Sequence, residues 1–304
     1  MSRPLYGAIE AGGTKFVCAA GYGPTELLES FRTEIPTSTP AVTLAAVAAF
    51  FERVRREGGP LAGIGIAAFG PVDLDRRSRS WGRMLATPKP GWSGVNLIEP
   101  LERLDCPLAL ETDVNAAALA EASVAGAGAG SLAYVTVGTG IGGGVVIDGR
   151  SVTGLLHPEM GHILVRRDAR DAGFRGICPF HADCLEGLAS GPALVARWKT
   201  PVESWPDEHP GLEIAGGYLG QLAATLALML SCERIVFGGG VMSDGRLFPF
   251  IRGAAARQLN GYLPIEARAG GFGRYIVPAA LGKLAGLTGA LLIARTVASA
   301  SAVA

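Results

Sequence analysis

The chain opens with two short apolar runs, Leu5 to Ile9 and Phe16 to Ala20, separated by Glu10-Ala11-Gly12-Gly13-Thr14-Lys15. Runs of this length on either side of a glycine turn predict a β-hairpin. A third strand is predicted over Glu26 to Arg32. The period then changes: behind Pro40, Leu44, Val47, Ala48, Phe51 and Val54 fall three and four apart, which predicts an amphipathic helix over Ala41 to Arg56. Leu61 to Ala68 is apolar throughout, as a buried strand is, and ends at Phe69-Gly70-Pro71. A loop over Thr87 to Gly94, a helix over Val95 to Leu104, a strand at Leu108 to Leu110 and a helix over Asp113 to Ala125 complete an α/β alternation.

The opening pattern then recurs. Leu132 to Val137 and Gly144 to Ile147 flank Gly138-Thr139-Gly140-Ile141-Gly142-Gly143, again strand, Gly/Thr turn and strand. Two such hairpins half a chain apart imply two related α/β domains, each offering a backbone loop to a shared cleft. Further on, 213–231 reads as a long apolar helix, Arg234 to Phe237 as a strand before Gly238-Gly239-Gly240, and Leu281 to Val297 as a closing helix. Between His157 and Cys184 the periodicity breaks.

Charge narrows the partners. The 27 Lys and Arg balance the 27 Asp and Glu, so no long-range field draws in nucleic acid or an anionic membrane. A composition 49% hydrophobic but only 7% aromatic, with 44 Gly, belongs to a globular chain whose backbone turns tightly or approaches a ligand closely. No apolar run of about 18 to 20 residues suggests a bilayer span, and the N-terminus lacks a leader pattern. Five Cys are too few and odd in number for a secreted disulfide framework, so a cytoplasmic location is expected.

The chemistry begins with the glycine turns. Consecutive Gly and Thr residues can aim several N–H groups at one phosphate, although a plain hairpin needs no ligand. Gly138, Gly140 and Gly143 also satisfy G-x-G-x-x-G, but that dinucleotide fingerprint requires a helix at the third glycine, and Gly144 to Gly149 reads as strand and turn. The Gly-Lys-Ser/Thr ending of a phosphate loop is absent, since Gly282-Lys283 precedes Leu284. Any nucleotide phosphates would therefore rest on hairpin turns. Asp113 lies where a strand ends and a helix begins: it serves either as the helix N-cap or as a carboxylate in the ligand crevice able to take a hydroxyl proton. His162, Cys178, His181 and Cys184 give H-x15-C-x2-H-x2-C, a donor set that closes a tetrahedral structural metal such as Zn²⁺. His157 and His209 are expected at the surface.

Taken in order, Gly7 to Lys15, Thr112-Asp113-Val114-Asn115-Ala116-Ala117, Gly138 to Gly144, His157-Pro158-Glu159-Met160-Gly161-His162 and Cys184-Leu185-Glu186-Gly187 resemble the ROK family of sugar kinases, most closely its zinc-containing bacterial fructokinase subgroup. The resemblance runs from Gly7 to about Ile293. It implies the actin-like ATPase fold, sharing the sugar kinase and ribonuclease H-like architecture: two α/β domains closing on a cleft. The expected division is 1–112, completed by the C-terminal helix at about 287–304, and 113–286 with the zinc segment.

The resemblance also implies roles. Gly12, Gly13, Thr14 and Lys15 would sit by the ATP phosphates; the acid before them is Glu10, where many members have Asp. Asp113 would be the base, Thr139 and Gly140 would hold the β and γ phosphates, and Gly239 and Gly240 would lie against the nucleoside. Glu159, His162 and Glu186 match sugar contacts, His162 also ligating zinc, and Asn96 lies near a further sugar loop. Mg²⁺ would arrive with ATP. The implied enzyme is a homodimeric ATP:D-fructose 6-phosphotransferase. Mannose, glucose or an N-acetylated hexosamine such as N-acetylmannosamine are alternative substrates, because sugar choice turns on a few contacts worth about 1 to 3 kcal/mol each. A sugar-sensing regulator is disfavoured by neutral charge and a first strand near Leu5, and an inactive sugar-binding module by the presence of Asp113 and both turns.

Overall fold

In the computed structural model, the described residues are 3–87, 89–125 and 130–301. Positions 1–2, 126–129 and 302–304 of the expected domain division, and Pro88 of the predicted loop, lie outside them. The chain divides into two compact units. The first comprises Met1–Ala120, Thr153–His157 and Lys283–Ala304, and the second Glu121–Val152 and Pro158–Gly282.

In the first unit, strands β1 (Leu5–Ala11), β2 (Lys15–Gly23) and β3 (Glu26–Pro36) are followed by helix α1 (Pro40–Gly58), β4 (Leu61–Ala68), β5 (Leu108–Thr112) and the start of α2 (Asp113–Val124). The sheet runs β3-β2-β1-β4-β5, antiparallel through the first three strands and parallel from β1 to β5. Parallel pairing carries the C-terminal ends of β1, β4 and β5 to one edge, so Glu10 and Thr112 share the end where α/β sheets bind ligands. Val47, Phe51 and Val54 of α1 are buried against one face with Phe16, Ile64 and Trp92. Trp92 is completely buried and donates its Nε1–H to the Ser38 carbonyl, 3.1 Å away.

The second unit contains β6 (Ser131–Val137), β7 (Ile141–Ile147) and β8 (Arg150–Ser151), helices α3 (Leu185–Ala189), α4 (Gly191–Trp198) and α5 (Pro210–Leu230), β9 (Arg234–Gly238), α6 (Phe248–Leu259), α7 (Ile265–Ala269), α8 (Phe272–Tyr275) and β10 (Ile276–Pro278). Its sheet order is β10-β9-β6-β7-β8, with β6-β7-β8 antiparallel and β6-β9-β10 parallel. This repeats the first sheet strand for strand, so the recurrence of the glycine hairpins reflects one supersecondary unit used twice. The chain then returns to the first unit through α9 (Ala285–Ser301), whose Leu287 and Leu291 pack on Ala8, Ala19 and Ala67 of the sheet face opposite α1.

Several sequence expectations need revision. The helix expected over Val95 to Leu104 is confined to a 3₁₀ turn at Glu99–Leu104, because Asn96 Oδ1 accepts the Ile98 and Glu99 amides and restarts the backbone there. β7 begins at Ile141, so only Gly138, Thr139 and Gly140 turn, and Gly142 to Gly144 are strand. Two helical segments, Pro210–Leu230 and Gly282–Ser301, are long and apolar enough to span a bilayer, contrary to expectation. The first is mostly buried inside the protein and the second about half buried, as core-packed helices are.

Candidate active site and metal centre

In the first unit, the β1–β2 turn is fastened from outside. The Gly12 amide donates to the Lys15 carbonyl at 3.0 Å, the Thr37 hydroxyl donates to the Gly12 carbonyl at 2.7 Å and the Thr37 amide donates to the Thr14 carbonyl at 2.9 Å. Gly13, Thr14 and Lys15 are left exposed, with the Lys15 ammonium 2.6 Å from Glu34 at the surface. Thr37 had no signal in the sequence. Glu10 enters the site from the end of β1, and α9 closes over it: a Cβ on Gly286 would lie 2.6 Å from Glu10 Oε1. Burial, reinforced by the negative charge of Asp113 and only partly offset by Lys15 and Arg32, pushes the Glu10 carboxyl up to about 7.

Because folded Glu10 keeps a proton that the unfolded chain releases, its contribution to stability is complete below pH 4.5 and is lost as pH rises to about 7. Glu10→Gln should flatten that fall and stabilise the ligand-free protein at pH 8 by up to about 3 kcal/mol. Denaturant titrations from pH 4.5 to 8 measure both effects. The same slope in both proteins would remove Glu10 as its source.

Asp113 occupies the first turn of α2, whose start is held by a cap bond at the residue before it. That bond is the Asn115 amide donating to Thr112 Oγ1 at 3.1 Å. Asp113 Oδ1 accepts from the adjacent Val114 amide at 2.9 Å, and the side chain is half-buried. The capping job is therefore filled by its neighbour, and a carboxylate stands at the positive end of a helix with a second carboxyl, Glu10, close enough to feel its charge. Asn96 is differently engaged. Its side chain accepts from Ile98 and Glu99 at 2.8 and 3.2 Å and donates to the Trp81 carbonyl at 3.4 Å.

In the second unit, the β6–β7 turn leaves Thr139 exposed between Gly138 and Gly140, with the Gly138 amide donating to the Gly140 carbonyl at 2.9 Å. The Gly191 amide holds the turn from below, donating to the Gly138 carbonyl at 2.8 Å. Beyond β9, Gly239 has φ +91°, and a Cβ there would meet the Val137 carbonyl oxygen at 2.3 Å. Only glycine fits this approach of the 239–240 loop to the end of β6.

The irregular segment gathers all four metal-ligand candidates. His162 Nδ1 lies 3.7 Å from Cys178 Sγ and 3.5 Å from Cys184 Sγ, and His181 Nδ1 lies 3.7 Å from Cys178 Sγ. All four donor atoms fall within 4.8 Å of one another. A tetrahedral ion with bonds of about 2.3 Å to sulfur and about 2.0 Å to nitrogen has N···S edges of about 3.5 Å, so the residues fit such a group. Cys178 and Cys184 are buried soft donors, and burial together with the neighbouring Cys178 thiol raises the Cys184 thiol pKa. The knuckle is shaped by reciprocal bonds between Cys178 and Ala182, at 3.1 and 2.9 Å, and by Arg167, which donates to Asp183 at 3.1 Å and to the Asp171 carbonyl at 2.5 Å.

Glu159 is exposed one residue before the 3₁₀ turn Met160–His162, and its carbonyl accepts from the His162 amide at 3.0 Å. Glu186 lies in α3, two residues beyond Cys184, and accepts from the Ile141 amide at 2.9 Å. The other two histidines are not surface residues of no consequence. His157 is buried beside Gly70, and His209 stacks on Trp205 at 4.3 Å between ring centroids while its Nδ1 accepts from the Gly211 amide at the start of α5.

The chain matches the model of the ROK family over residues 6–297. It is 43% identical over 297 residues to a fructokinase of Zymomonas mobilis subsp. mobilis, covering 96% of this chain and 97% of the relative, and 39% identical over 293 residues to a fructokinase of Pediococcus pentosaceus, covering 96% and 98%. The crystal structure of a ROK hexokinase from Thermus thermophilus matches with a TM-score of 0.76 at 30% identity, over 96% of this chain and 98% of that one. Two mixed sheets of one topology and a match that spans almost every described element lead to one conclusion: the chain belongs to the ROK family and has its actin-like ATPase fold.

Proposed function

We propose that the protein is an ATP-dependent fructokinase that transfers the γ-phosphoryl group of Mg·ATP to the 6-hydroxyl of D-fructose. The observation that carries the choice of sugar is 43% identity to a fructokinase over 96% of the chain. The observation that supports the chemistry is Asp113, a half-buried carboxylate in the first turn of α2, at the C-terminal end of β5 and close enough to Glu10 for its charge to be felt there. In this reading Asp113 accepts the 6-hydroxyl proton as the oxygen bonds to the γ-phosphorus, and the bond from that phosphorus to the β-phosphate bridging oxygen breaks to release ADP.

The remaining roles follow the chain. Gly12, Gly13, Thr14 and Lys15 face the phosphates from the first turn. Thr139 and Gly140 hold the β and γ phosphates with a hydroxyl and backbone amides, while Gly239 and Gly240 lie against the nucleoside. Glu159, His162 and Glu186 contact the sugar, as Asn96 does from its loop. Mg²⁺, entering with ATP, neutralises charge on the transferred group. Zn²⁺ held by His162, Cys178, His181 and Cys184 supplies rigidity to the segment that carries Glu159 and His162. A cytoplasmic homodimer completes the reading.

A coupled ADP-release assay with Mg·ATP against fructose, mannose, glucose and N-acetylmannosamine tests it. The expected result is kcat/KM for fructose at least about tenfold above the others, the scale of a difference of 1 to 3 kcal/mol in sugar contacts. A higher value on another sugar would replace fructose, and no turnover on any would overturn the kinase assignment.

A further inference from the structure

The Ile141 peptide, where the phosphate turn passes into β7, is gripped on both sides by residues adjoining metal ligands. On its amide side, Glu186 Oε2 accepts the Ile141 N–H at 2.9 Å, and Glu186 stands two residues after Cys184. On its carbonyl side, Gly161 packs so closely that a Cβ would fall 1.8 Å from the Ile141 oxygen, and Gly161 directly precedes His162. The same carboxylate lies against the turn itself: a Cβ on Gly140 would sit 2.6 Å from Glu186 Oε2. The two gripping segments are joined to each other by the Leu185 amide donating to the Ile163 carbonyl at 2.9 Å and by the donor atoms of His162 and Cys184 at 3.5 Å. A metal bound by those atoms would fix, in one step, both walls around Ile141.

We propose that Glu186 is a positioning residue that couples the metal centre to the phosphate turn, so that the affinity for the nucleoside triphosphate, and not only for the sugar, depends on the metal-ligating segment. The inference rests on the reading of Gly138 to Gly140 as a phosphate site. A carboxylate accepting a backbone N–H makes a charge-assisted bond, and it holds the amides of a glycine turn, which has little stiffness of its own, in the orientation that an anionic ligand needs. Its loss lets the turn sample conformations in which those amides diverge. The cost then appears in nucleotide binding.

The test is calorimetric titration of a non-hydrolysable ATP analogue with Mg²⁺, without sugar, into the wild type, Glu186→Ala, Glu186→Gln and Thr139→Val. Glu186→Ala should weaken binding about tenfold, the scale of a hydrogen bond to a charged group, whereas Glu186→Gln, which retains an acceptor oxygen for Ile141, should stay within about threefold of the wild type. A residue that served the sugar alone would leave all three Glu186 proteins equal, and that result overturns the coupling. Thr139→Val separates the two layers: if it weakens binding while Glu186→Ala does not, the link is wrong, and if neither variant moves the affinity, the turn is not the phosphate site. Removing the metal with a chelator, with thermal unfolding followed in parallel, should also weaken analogue binding about tenfold in protein that stays folded. Unchanged affinity in that folded, metal-free protein would overturn the proposal, and if the stripped protein unfolds, the Glu186 variants decide it.

Discussion

Asp113→Asn is expected to lower kcat at least about a hundredfold while the KM for fructose changes by less than about threefold, the signature of losing a group that acts on the proton in the transition state rather than on ground-state binding. The substitution is close to isosteric. The asparagine oxygen can still accept from the Val114 amide, and the helix keeps its start because Thr112 accepts the Asn115 amide. What disappears is the carboxylate charge, which in the proposed reaction takes the sugar's proton and which helps hold Glu10 protonated. The variant should therefore fold, melt close to the wild type and bind nucleotide. Steady-state kinetics beside a thermal melt checks this. Turnover within about threefold of the wild type would take Asp113 out of the mechanism, whereas a collapse of the melting temperature would mark it as a structural carboxylate.

The second large effect belongs to the candidate metal centre of His162, Cys178, His181 and Cys184. Removing the Cys184 thiol, as in Cys184→Ala, or stripping the metal with a chelator should lower the melting temperature by about 10 °C or more, taking several kcal/mol from a structural site at about 2 °C per kcal/mol for a chain of this size. The reason is local. Between Met160 and Cys184 there is little regular structure: 3₁₀ turns at Met160–His162 and Ala169–Asp171 and isolated bridges at Leu164 with Cys184 and Cys178 with Ala182. Their order is set by side chains: the four donors, Arg167 reaching Asp183, and Asp171 held by Arg197 at 2.7 Å and by the Tyr218 hydroxyl at 2.9 Å. Metal analysis of gently purified protein should give about one zinc per chain. Protein without metal, or melts that ignore both the chelator and the substitution, would count against the site.

What the sequence disclosed depended on the range of the interaction. The hairpins were legible because each is local, two apolar runs about a glycine turn; that the two sheets share one strand order is visible only in the structure. The metal donors were legible because three of them sit within seven residues and the chain has only four His and five Cys. The contacts made by topology were not. Nothing near Glu10 announces that β1 and β5 end on the same side of one sheet, placing Asp113 near it, or that α9 returns to bury it. Glu121 resembles any surface acid on a helix, yet its carboxylate accepts the Ala280 and Leu281 amides from 159 and 160 positions away. Glu186 drew notice through the family resemblance alone, and nothing in the sequence marks it as the acceptor for Ile141, which is 45 residues distant. The helix expected at Val95 to Leu104 failed for a local reason that periodicity does not weigh, the capture of two backbone amides by Asn96.

The most direct measurement is of the product itself. Phosphorus and proton NMR of the reaction of purified protein with Mg·ATP and D-fructose should show ADP and fructose 6-phosphate appearing in equal amounts, with the phosphorus coupled to the C6 methylene protons. Phosphate on another carbon, or ADP accompanied only by inorganic phosphate, would contradict the account.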